Sequence, residues 1–366
     1  MARICKPIKL VLLGYFHGYG GAEKSIIMLA NAMADRGHKV TMIALVAEKV
    51  AYPISDSVEV VELKSTHGTN RFFAALERYR GLKRALFTIE ADIVVSFWIQ
   101  PVYFCALMRK KNWSRLIYSE RGDPSDSEYR GILGILRTLS LPKVDGFVFQ
   151  SEASKKYFDS RVQKKGVVIQ NPLLIPEISI VPPEARKSVI VSVGRLHPQK
   201  NHLLLIKAFS GFVRKHPEYL LEIYGEGELH NDLQQEIDQL DLTNRVILKG
   251  AVPDLHSRIA NSSMFVLSSD YEGFPNTLIE ALALGIPCIT TDWKPGAAKE
   301  VFSGGIKGVI VRTSHVQSLQ VEMCKMAENP MSYSSCIKNA SLIRSRLNPE
   351  NIYGQWEDFL YASTLS

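Results

Sequence analysis

The 366-residue sequence lacks the features that mark several classes of protein. Its five cysteines are widely scattered and none forms a Cys-x-x-Cys pair, so neither a disulfide framework nor a structural zinc site is expected, and a reducing compartment fits better. The longest uncharged stretch, residues 93–108, is shorter than the roughly 20 apolar residues that span a bilayer. The apolar run at 10–13 is too short for a signal peptide, and we expect it to form a buried first strand.

Low-complexity segments and evident repeats are also missing. The apolar fraction of 46% and the charged fraction of 22% are typical of a soluble globular protein. Because a single hydrophobic core seldom grows beyond about 250–300 residues, the length of the chain predicts two domains.

Short runs rich in Val and Ile alternate with helix-length amphipathic stretches, which is the pattern of parallel strands joined by helical crossovers. The predicted strands lie at 8–13, 40–45, 58–63, 93–97, 116–119, 146–149, 167–170, 189–193, 220–224, 246–248, 264–267, 287–290 and 309–311. Four prolines interrupt the pattern at 171–186. We therefore predict an α/β protein of two doubly wound domains that bind ligands at the carboxyl ends of their strands. The predicted parts are an N-terminal domain at 1–170, a linker at 171–187, a C-terminal domain at 188–345 and a last helix at 346–366 that returns to the N-terminal domain.

Charge is distributed unevenly along the chain. Residues 1–170 hold 26 Lys and Arg against 16 Asp and Glu, a net charge of +10, whereas the remaining residues have a net charge of −3. A basic half favours an anionic partner such as a membrane surface, a phosphate-bearing acceptor or nucleic acid; solvated surface cations without a partner are the alternative. Neither aromatic RNA-binding signatures nor a recognition helix is present, so nucleic acid is not expected.

One segment, at 270–280, combines carboxylates with a helix start. It reads Asp-Tyr-Glu-Gly-Phe-Pro-Asn-Thr-Leu-Ile-Glu and runs from a predicted strand into a predicted helix. Pro275 fits the first helical turn, whose free backbone amides then form an anion site. Those amides belong to Asn276, Thr277 and Leu278. Glu272 and Glu280 can accept hydrogen bonds from sugar hydroxyls, although the spacing alone also fits two surface charges.

Two further segments follow predicted strands. Residues 193–201 read Val-Gly-Arg-Leu-His-Pro-Gln-Lys-Asn, in which Arg195 and Lys200 can grip a diphosphate, Arg through its fork and Lys as a point charge. Two surface cations near a turn are the simpler alternative. Residues 18–23 read Gly-Tyr-Gly-Gly-Ala-Glu, whose glycines let the backbone approach a ligand, although a tight strand-to-helix connection needs nothing more.

Together these motifs resemble those of glycosyltransferase family 4 over nearly the whole chain. The matching segments, in the family's order and spacing, are Gly20-Gly-Ala-Glu23, Gly194-Arg-Leu with Lys200-Asn201, Tyr224-Gly-Glu-Gly-Glu228, Gly273-Phe-Pro-Asn-Thr-Leu-Ile-Glu280 and Ala283-Leu-Gly-Ile-Pro287. The resemblance implies the GT-B fold, in which two Rossmann-like domains face each other across a cleft. The N-terminal domain then binds the acceptor and the C-terminal domain binds a nucleotide sugar.

The resemblance also implies how a nucleotide-diphosphate sugar is bound. Arg195 and Lys200 hold the diphosphate, Glu272 the donor sugar and Glu280 the ribose hydroxyls. Further donor contacts are implied at Gly20, Gly21, Gly225, Gly227, Val252, Leu255, Phe274, Asn276, Thr277 and Leu278. The reaction retains the anomeric configuration by front-face displacement without a protein nucleophile. Because no Asp-x-Asp motif occurs, the two cations replace a divalent metal, and no cofactor is expected.

The sequence departs from the family pattern at one place. Many members have a histidine near the donor sugar, whereas this chain reads Tyr-Ser-Glu-Arg-Gly-Asp-Pro at 118–124, with Arg121 at the matching position. Arginine stays protonated and cannot act as a general base, so we expect Arg121 to bind the donor or an anionic acceptor. Glu120 or Asp123 offers a carboxylate instead, or a salt-bridge partner for Arg121.

The expected activity is that of a hexosyltransferase. It moves a hexose or N-acetylhexosamine from a nucleotide-diphosphate sugar, with UDP favoured by the family, to a lipid-linked glycan acceptor in bacterial O-antigen or capsule biosynthesis. Cations and aromatics at 71–87 and 109–115 suggest a cytoplasmic enzyme docked peripherally on the anionic inner face of the membrane. The alternative is that Phe72, Phe73 and Leu76 belong to the core. A nucleotide-sugar 2-epimerase on the same fold and a non-catalytic membrane-binding relative remain as other functions.

Overall fold

The structure is a computed structural model that describes residues 6–16, 21–47, 52–63, 71–108, 113–122, 131–294, 296–329 and 335–365. Within these ranges the side chains of residues 71–73, 113, 114 and 365 are not described. The sequence predictions for Gly20, Asp123 and the cations at 109–111 lie outside the described residues, as do those for the side chains of Arg71, Phe72, Phe73 and Trp113.

The chain divides into two compact units, Met1–Asn171 with Glu350–Ser366, and Pro172–Pro349. The proline-rich segment after Asn171 therefore belongs to the second unit. The roles assigned to the two domains, acceptor binding and nucleotide-sugar binding, remain predictions.

The first unit is built on a sheet of seven parallel strands. They are β1 (Lys9–Phe16), β2 (Lys39–Ala47), β3 (Val58–Glu62), β4 (Ala91–Ser96), β5 (Trp113–Ser119), β6 (Gly146–Phe149) and β7 (Gly166–Val168). Its helices include α1 (Gly21–Asp35), α2 (Arg71–Thr88), α3 (Ile99–Met108), α4 (Ile132–Ser140), α5 (Glu152–Tyr157) and α6 (Ser160–Lys164). The strand order is β3-β2-β1-β4-β5-β6-β7, so the order reverses between β1 and β4.

The second unit repeats this plan with six parallel strands. They are β8 (Lys187–Val193), β9 (Leu220–Tyr224), β10 (Val246–Gly250), β11 (Ser262–Leu267), β12 (Cys288–Thr291) and β13 (Val309–Val311). The helices are α7 (His202–Val213), α8 (His230–Gln239), α9 (Leu255–Ile259), α10 (Asn276–Ala283), α11 (Ala298–Val301), α12 (Val316–Glu328) and α13 (Cys336–Arg346). The order is β10-β9-β8-β11-β12-β13, which reverses between β8 and β11.

Buried strands form the centre of each unit. In the first unit Val11, Val94 and Phe147 belong to one apolar cluster, and in the second Ile190 and Val266 belong to another. Because helices cover both faces of such a sheet, its central strands have apolar residues on both faces and appear in the sequence as continuous apolar runs. Every strand predicted from these runs is present.

The last helix, α14 (Pro349–Leu365), packs within the first unit. The ring of Trp356 stacks on Phe97 with centroids 6.0 Å apart, and Nη2 of Arg36 lies 2.5 Å from Oε2 of Glu350. Phe359 lies beneath Gly146, where a Cβ atom would come within 2.9 Å of its Cζ. The helix therefore contributes to the core of the first unit. Among the described residues no helix is both long enough and apolar enough to cross a membrane.

Candidate functional site

The second sheet brings two of the predicted motifs to one point. β8 and β11 are hydrogen-bonded neighbours on either side of the reversal in strand order. In sheets of this type ligands bind beyond the carboxyl ends of the strands at such a reversal. β8 runs into the loop at 194–201, and β11 runs into 268–272, so Lys200 and Glu272, both predicted from the sequence, meet there.

Lys200 and Glu272 form the centre of this site. Nζ of Lys200 lies 2.5 Å from Oε1 of Glu272, and their side chains are only 15% and 5% exposed. The hydroxyl of Ser269, which the sequence did not indicate, donates to the same Oε1 at 2.6 Å. A lysine ammonium has three protons, so Lys200 can bind Glu272 and still donate to a second anion.

The loop that carries Lys200 is tied to the segment after β11. Nδ2 of Asn201 donates to Oδ1 of Asp270 at 3.1 Å, and the hydroxyl of Ser268 donates to the carbonyl of Lys200 at 2.9 Å. Asn201 has φ 45°, ψ 47°, a left-handed conformation that asparagine tolerates, and its Oδ1 accepts from the amide of Leu204 at the start of α7. These contacts hold Lys200 in place before any ligand arrives.

Arg195 lies on the same loop but in different surroundings. Its side chain is exposed, and within the described part of the chain no ion pair involves its guanidinium. The fork of donors is therefore open to an anion from solvent.

Gly225 and Gly227 lie in the loop after β9 and pack against the loop that carries Arg195 and Lys200. A Cβ atom on Gly225 would lie 2.0 Å from the carbonyl oxygen of Gly194, and one on Gly227 would lie 2.4 Å from that of Leu196. The amide of Gly194 donates to the carbonyl of Tyr224 at 2.9 Å, so the two loops pack backbone against backbone. This packing alone explains both glycines, and their contact with a donor remains a prediction.

The start of α10 differs from the predicted anion site. The helix begins at Asn276, and Pro275 (φ −83°, ψ 72°) precedes it. These angles form an inverse γ-turn in which the amide of Asn276 donates to the carbonyl of Phe274 at 3.0 Å. The prediction of a free amide at Asn276 is therefore wrong, because the turn at Pro275 closes on it. Within the described residues no hydrogen bond is made by the amides of Thr277 and Leu278.

Glu280 lies one turn further along α10. Its Oε2 is 3.3 Å from Nε2 of His256 in α9, and the two side chains are 15% and 18% exposed. Leu255, predicted to border the nucleotide, precedes His256 and is half-buried, as are Val252 and Phe274. The sequence did not indicate His256, because it lies on a different helix from Glu280 and no motif links the two residues.

A second histidine that the sequence did not indicate lies beneath the loop. His202 is 3% exposed at the start of α7. Burial, with the charge of Lys200 as a smaller cause, lowers the pKa of His202 to about 4, and contacts with the backbone of Gly194 and Arg195 only partly oppose this shift. His202 is therefore neutral at physiological pH and packs as part of the loop's support.

Arg121 and Gly21 belong to the first unit. Nη1 of Arg121 donates to Oδ1 of Asn171, and its guanidinium carbon lies 4.3 Å from the ring centre of Phe97 and 5.8 Å from that of Trp356. Burial lowers the pKa of Arg121 to about 9, so it stays charged near neutral pH. Gly21 is the exposed first residue of α1. The catalytic role of Arg121 and the donor contact of Gly21 remain predictions.

Glu120 is buried beside Arg121. Its carboxylate accepts from the hydroxyl of Tyr118 at 3.0 Å and from the amide of Gly122 at 3.0 Å. Burial raises the pKa of Glu120. Its Oε2 lies 3.8 Å from Nη2 of Arg137, so Arg137 rather than Arg121 is its ion-pair partner in the described structure.

The described side chains do not form a metal-binding cluster. In the ranges that the structure describes, no group of three or more His, Cys, Asp or Glu side chains is placed to hold a metal ion. Metal independence remains a prediction.

Comparison with known proteins agrees with this geometry. The family Glycosyltransferase Family 4 matches residues 19–173, and Glycosyl transferases group 1 matches residues 177–342. An uncharacterized glycosyltransferase of Haemophilus influenzae is 24% identical over 93% of this chain and 96% of its own length. The N-acetylgalactosamine-N,N'-diacetylbacillosaminyl-diphospho-undecaprenol 4-alpha-N-acetylgalactosaminyltransferase of Campylobacter jejuni is 29% identical over 88% of this chain and 90% of its own.

Among solved structures, HepE of Anabaena in complex with UDP-glucose superimposes with a TM-score of 0.75 at 18% identity, covering 97% of this chain and 100% of that one. The two parallel sheets and this likeness confirm the predicted α/β fold of GT-B type. The chain therefore belongs to the glycosyltransferases, carrying a family 4 domain followed by a group 1 domain, and is an enzyme of the hexosyltransferase class.

Proposed function

We propose that the enzyme transfers a hexose or N-acetylhexosamine from a UDP-sugar, with retention of configuration, to a lipid-linked glycan acceptor in surface-polysaccharide biosynthesis. The observation that carries this proposal is the Lys200–Glu272 pair at the carboxyl ends of β8 and β11, with the exposed Arg195 on the same loop. A cation, a carboxylate and an open guanidinium at one point suit a ligand that has both a diphosphate and a sugar.

The two cations act on the leaving group in this proposal. Arg195 offers a planar pair of donors to one phosphate, and the protons of Lys200 that Glu272 does not take bind another oxygen. Fixed donors of this kind stabilise negative charge as it develops on the departing diphosphate, by a few kcal/mol each.

Glu272 also has a free acceptor for the sugar. Lys200 and Ser269 both bind Oε1, and among the described residues Oε2 makes no hydrogen bond. Oε2 then accepts from a hydroxyl of the donor sugar. Glu280, beside His256, accepts from the ribose hydroxyls.

The transfer itself needs no protein nucleophile. The bond between the anomeric carbon and the phosphate oxygen breaks, and the acceptor oxygen bonds to that carbon on the same face. The acceptor proton moves to the departing phosphate oxygen, so atoms and charge balance without a metal or cofactor.

The acceptor is proposed from a relative. The Campylobacter protein is named for transfer to a diphospho-undecaprenol-linked sugar, and it matches most of this chain. We extend this acceptor class, a glycan on a lipid diphosphate, to the present enzyme.

A lipid-linked acceptor places the enzyme at the cytoplasmic face of a membrane. On α2 the side chains of Arg80, Lys83 and Arg84 are exposed, as docking on anionic lipid requires, and Phe87 is 42% exposed. Leu76 is half-buried, so the alternative that this stretch also supports the core is compatible with the same helix. Docking through α2 predicts that the variant Arg80→Ser/Lys83→Ser/Arg84→Ser loses its binding to anionic vesicles.

A thermal-shift screen against UDP-, GDP- and ADP-sugars tests the donor. A UDP-sugar at 100 times its Kd should stabilise the enzyme by about 2.7 kcal/mol, which raises Tm by roughly 5–10 °C. A shift with another nucleotide and none with UDP would overturn the choice of base.

An activity assay then separates transfer from epimerisation. The bound donor and a lipid-linked acceptor should together release UDP and yield an extended glycan. Formation of an epimer from the donor alone would favour a nucleotide-sugar 2-epimerase.

A further inference from the structure

Helix α4 exposes apolar side chains on its outer face, which is unusual for a surface helix. Its outward side chains are apolar: Ile132 is 77% exposed, Ile135 60% and Leu139 63%. The residues that it buries are Arg137 and Ser140. A surface helix normally turns its apolar stripe to the core, so this arrangement leaves an apolar face without a partner in the described structure.

Arg137 explains the orientation. Its guanidinium lies 3.8 Å from the buried carboxylate of Glu120, and its Cζ lies 4.9 Å from the ring centre of Phe158. These contacts, with half-buried Leu136 packed against the core, hold one side of α4 against the unit and direct Ile132, Ile135 and Leu139 outward.

The apolar face continues onto the neighbouring helix. The hydroxyl of Tyr103 in α3 donates to the carbonyl of Leu133 in α4 at 3.4 Å, and Leu107, one turn further along α3, is 68% exposed. Phe104 of α3 contacts Tyr79 of α2 with ring centres 5.4 Å apart. The exposed cations of α2 therefore lie on a helix next to α3.

Cations also follow α4 along the chain. Residues 141–170 hold six Lys and Arg against three Asp and Glu. Lys143 and Lys165 are exposed, and Nζ of Lys165 reaches the carbonyl of Pro142 at 3.3 Å, just after α4. An apolar face with exposed cations on the segment that follows it and on a nearby helix matches a layer of anionic headgroups over acyl chains.

We propose that α4 is the apolar insertion element of the first unit, lying in the plane of an anionic lipid surface with Ile132, Ile135 and Leu139 below the headgroups. The inference rests on the proposed docking to a membrane and adds a second contact to it. Cations on α2 attract the surface from a distance, and α4 supplies the part of binding that salt does not screen. At nine residues α4 is too short to span the bilayer.

Co-sedimentation with vesicles tests the role of α4. Vesicles of phosphatidylglycerol and phosphatidylethanolamine are compared with phosphatidylcholine alone, at low and high salt. The variant Ile132→Ser/Ile135→Ser/Leu139→Ser should bind the anionic vesicles at least tenfold more weakly than the native enzyme at both salt concentrations. The matched control Val321→Ser/Ile337→Ser changes side chains of the second unit that are 42% and 49% exposed, and it should bind within twofold of native.

A fluorescence measurement reports insertion directly. The single variant Ile135→Trp should shift its emission to the blue and be quenched by brominated lipid in anionic vesicles. Native binding by the triple Ser variant, or no quenching of Ile135→Trp, would overturn the inference. Monomerisation of a dimer by the triple variant without loss of vesicle binding would assign the face to a second copy and would likewise overturn it.

The same samples separate this inference from the proposed function. Nucleotide release from the donor in detergent-dispersed acceptor should be unchanged in the triple Ser variant. Loss of vesicle binding only in the α2 variant would reject the role of α4 and leave docking intact. Absence of donor turnover in the native enzyme would reject the proposed activity, whatever the vesicles show.

Discussion

Lys200 and Arg195 have the same charge in different surroundings. Lys200 is 15% exposed and paired with Glu272, whereas Arg195 is exposed. Loss of either removes a donor to the proposed diphosphate, but only loss of Lys200 leaves a buried carboxylate without its partner. The two side chains are therefore expected to differ in their effect on stability.

Replacement by alanine tests this difference. Arg195→Ala and Lys200→Ala should each lower kcat by about 10²-fold, because each loses a contact to the leaving group. Glu280→Ala should lower kcat/KM by about 10²-fold, mainly by raising KM, because it loses a contact to the ribose. Lys200→Ala should also lower the free energy of unfolding by about 3 kcal/mol, whereas Arg195→Ala should change it by less than about 0.5 kcal/mol. Steady-state kinetics and urea unfolding measure the two effects.

The double variant Lys200→Ala/Glu272→Gln is the control for stability. It removes both charges and should recover part of the loss, because no carboxylate remains buried alone. Native kcat/KM in any of the three single variants would contradict the assigned site.

His256 is expected to act through Glu280. Because its Nε2 lies 3.3 Å from the carboxylate, His256→Ala should let Glu280 move and raise KM for the donor several-fold. A ribose contact is the same in the ground and transition states, so kcat should stay within about twofold. His256→Gln keeps a polar side chain of similar reach beside Glu280 and should retain most of the native KM.

The exposed His230 on α8 provides the matched control. His230→Ala should leave KM unchanged. A fall in kcat with native KM in His256→Ala would show that His256 does not position a ribose contact.

His202 predicts how stability depends on pH. Its pKa is about 4 in the folded enzyme, and about 6.5 is usual for an exposed histidine, so the unfolded chain takes up its proton first as pH falls. The free energy of unfolding should therefore decrease between pH 6.5 and 4, by up to about 3 kcal/mol from this group. Above pH 6.5 the histidine is neutral in both the folded and the unfolded chain, so none of this stability is lost there.

Unfolding by urea at pH 7 and pH 4.5 measures this effect. His202→Gln has no proton to gain and should lose less stability than the native enzyme over that interval. An equal loss in both proteins would show that His202 is not the group responsible.

At the scale of elements, the contact between the loops after β8 and β9 depends on the lack of side chains. A methyl group on Gly227 would lie 2.4 Å from the carbonyl oxygen of Leu196, so Gly227→Ala must separate the two loops. We expect a loss of about 1–3 kcal/mol in stability and a weaker affinity for the donor, since Leu196 is next to Arg195.

Gly354 in α14 is the matched glycine. A Cβ atom there meets nothing within 4 Å, so Gly354→Ala should keep or raise stability by roughly 0.5–1 kcal/mol through helix propensity. Thermal unfolding compares the two variants. Equal Tm values would show that the loops tolerate separation.

Helices were harder to predict than strands. α3 is almost wholly buried, with Ile99, Val102 and Cys105 among its core residues, so it has no polar face and no helical period to detect. α5, α6, α9 and α11 have between four and six residues, too few for a periodic signal. α4 does show an amphipathic pattern, but the pattern does not say which side is buried.

At the scale of the whole molecule, the site is expected to work without a metal. Turnover should survive EDTA, because Arg195 and Lys200 supply the positive charge that a divalent ion provides elsewhere. The measurement is nucleotide release before and after chelation. Complete loss in EDTA, restored by magnesium or manganese, would contradict the proposal.

The sequence by itself determined the two α/β units, since parallel strands buried on both faces need continuous apolar runs, and these are visible at all thirteen positions. It also indicated Arg195, Lys200, Glu272 and Glu280, through the motifs that follow two strands and their resemblance to those of glycosyltransferase family 4. Only the tertiary structure decided their partners. The pairing of Lys200 with Glu272, the contact of His256 with Glu280 and the contact of Arg137 with Glu120 beneath α4 each join residues from different elements. Such contacts depend on how elements pack in space, and a periodic pattern in one segment has no information about the segment that it meets.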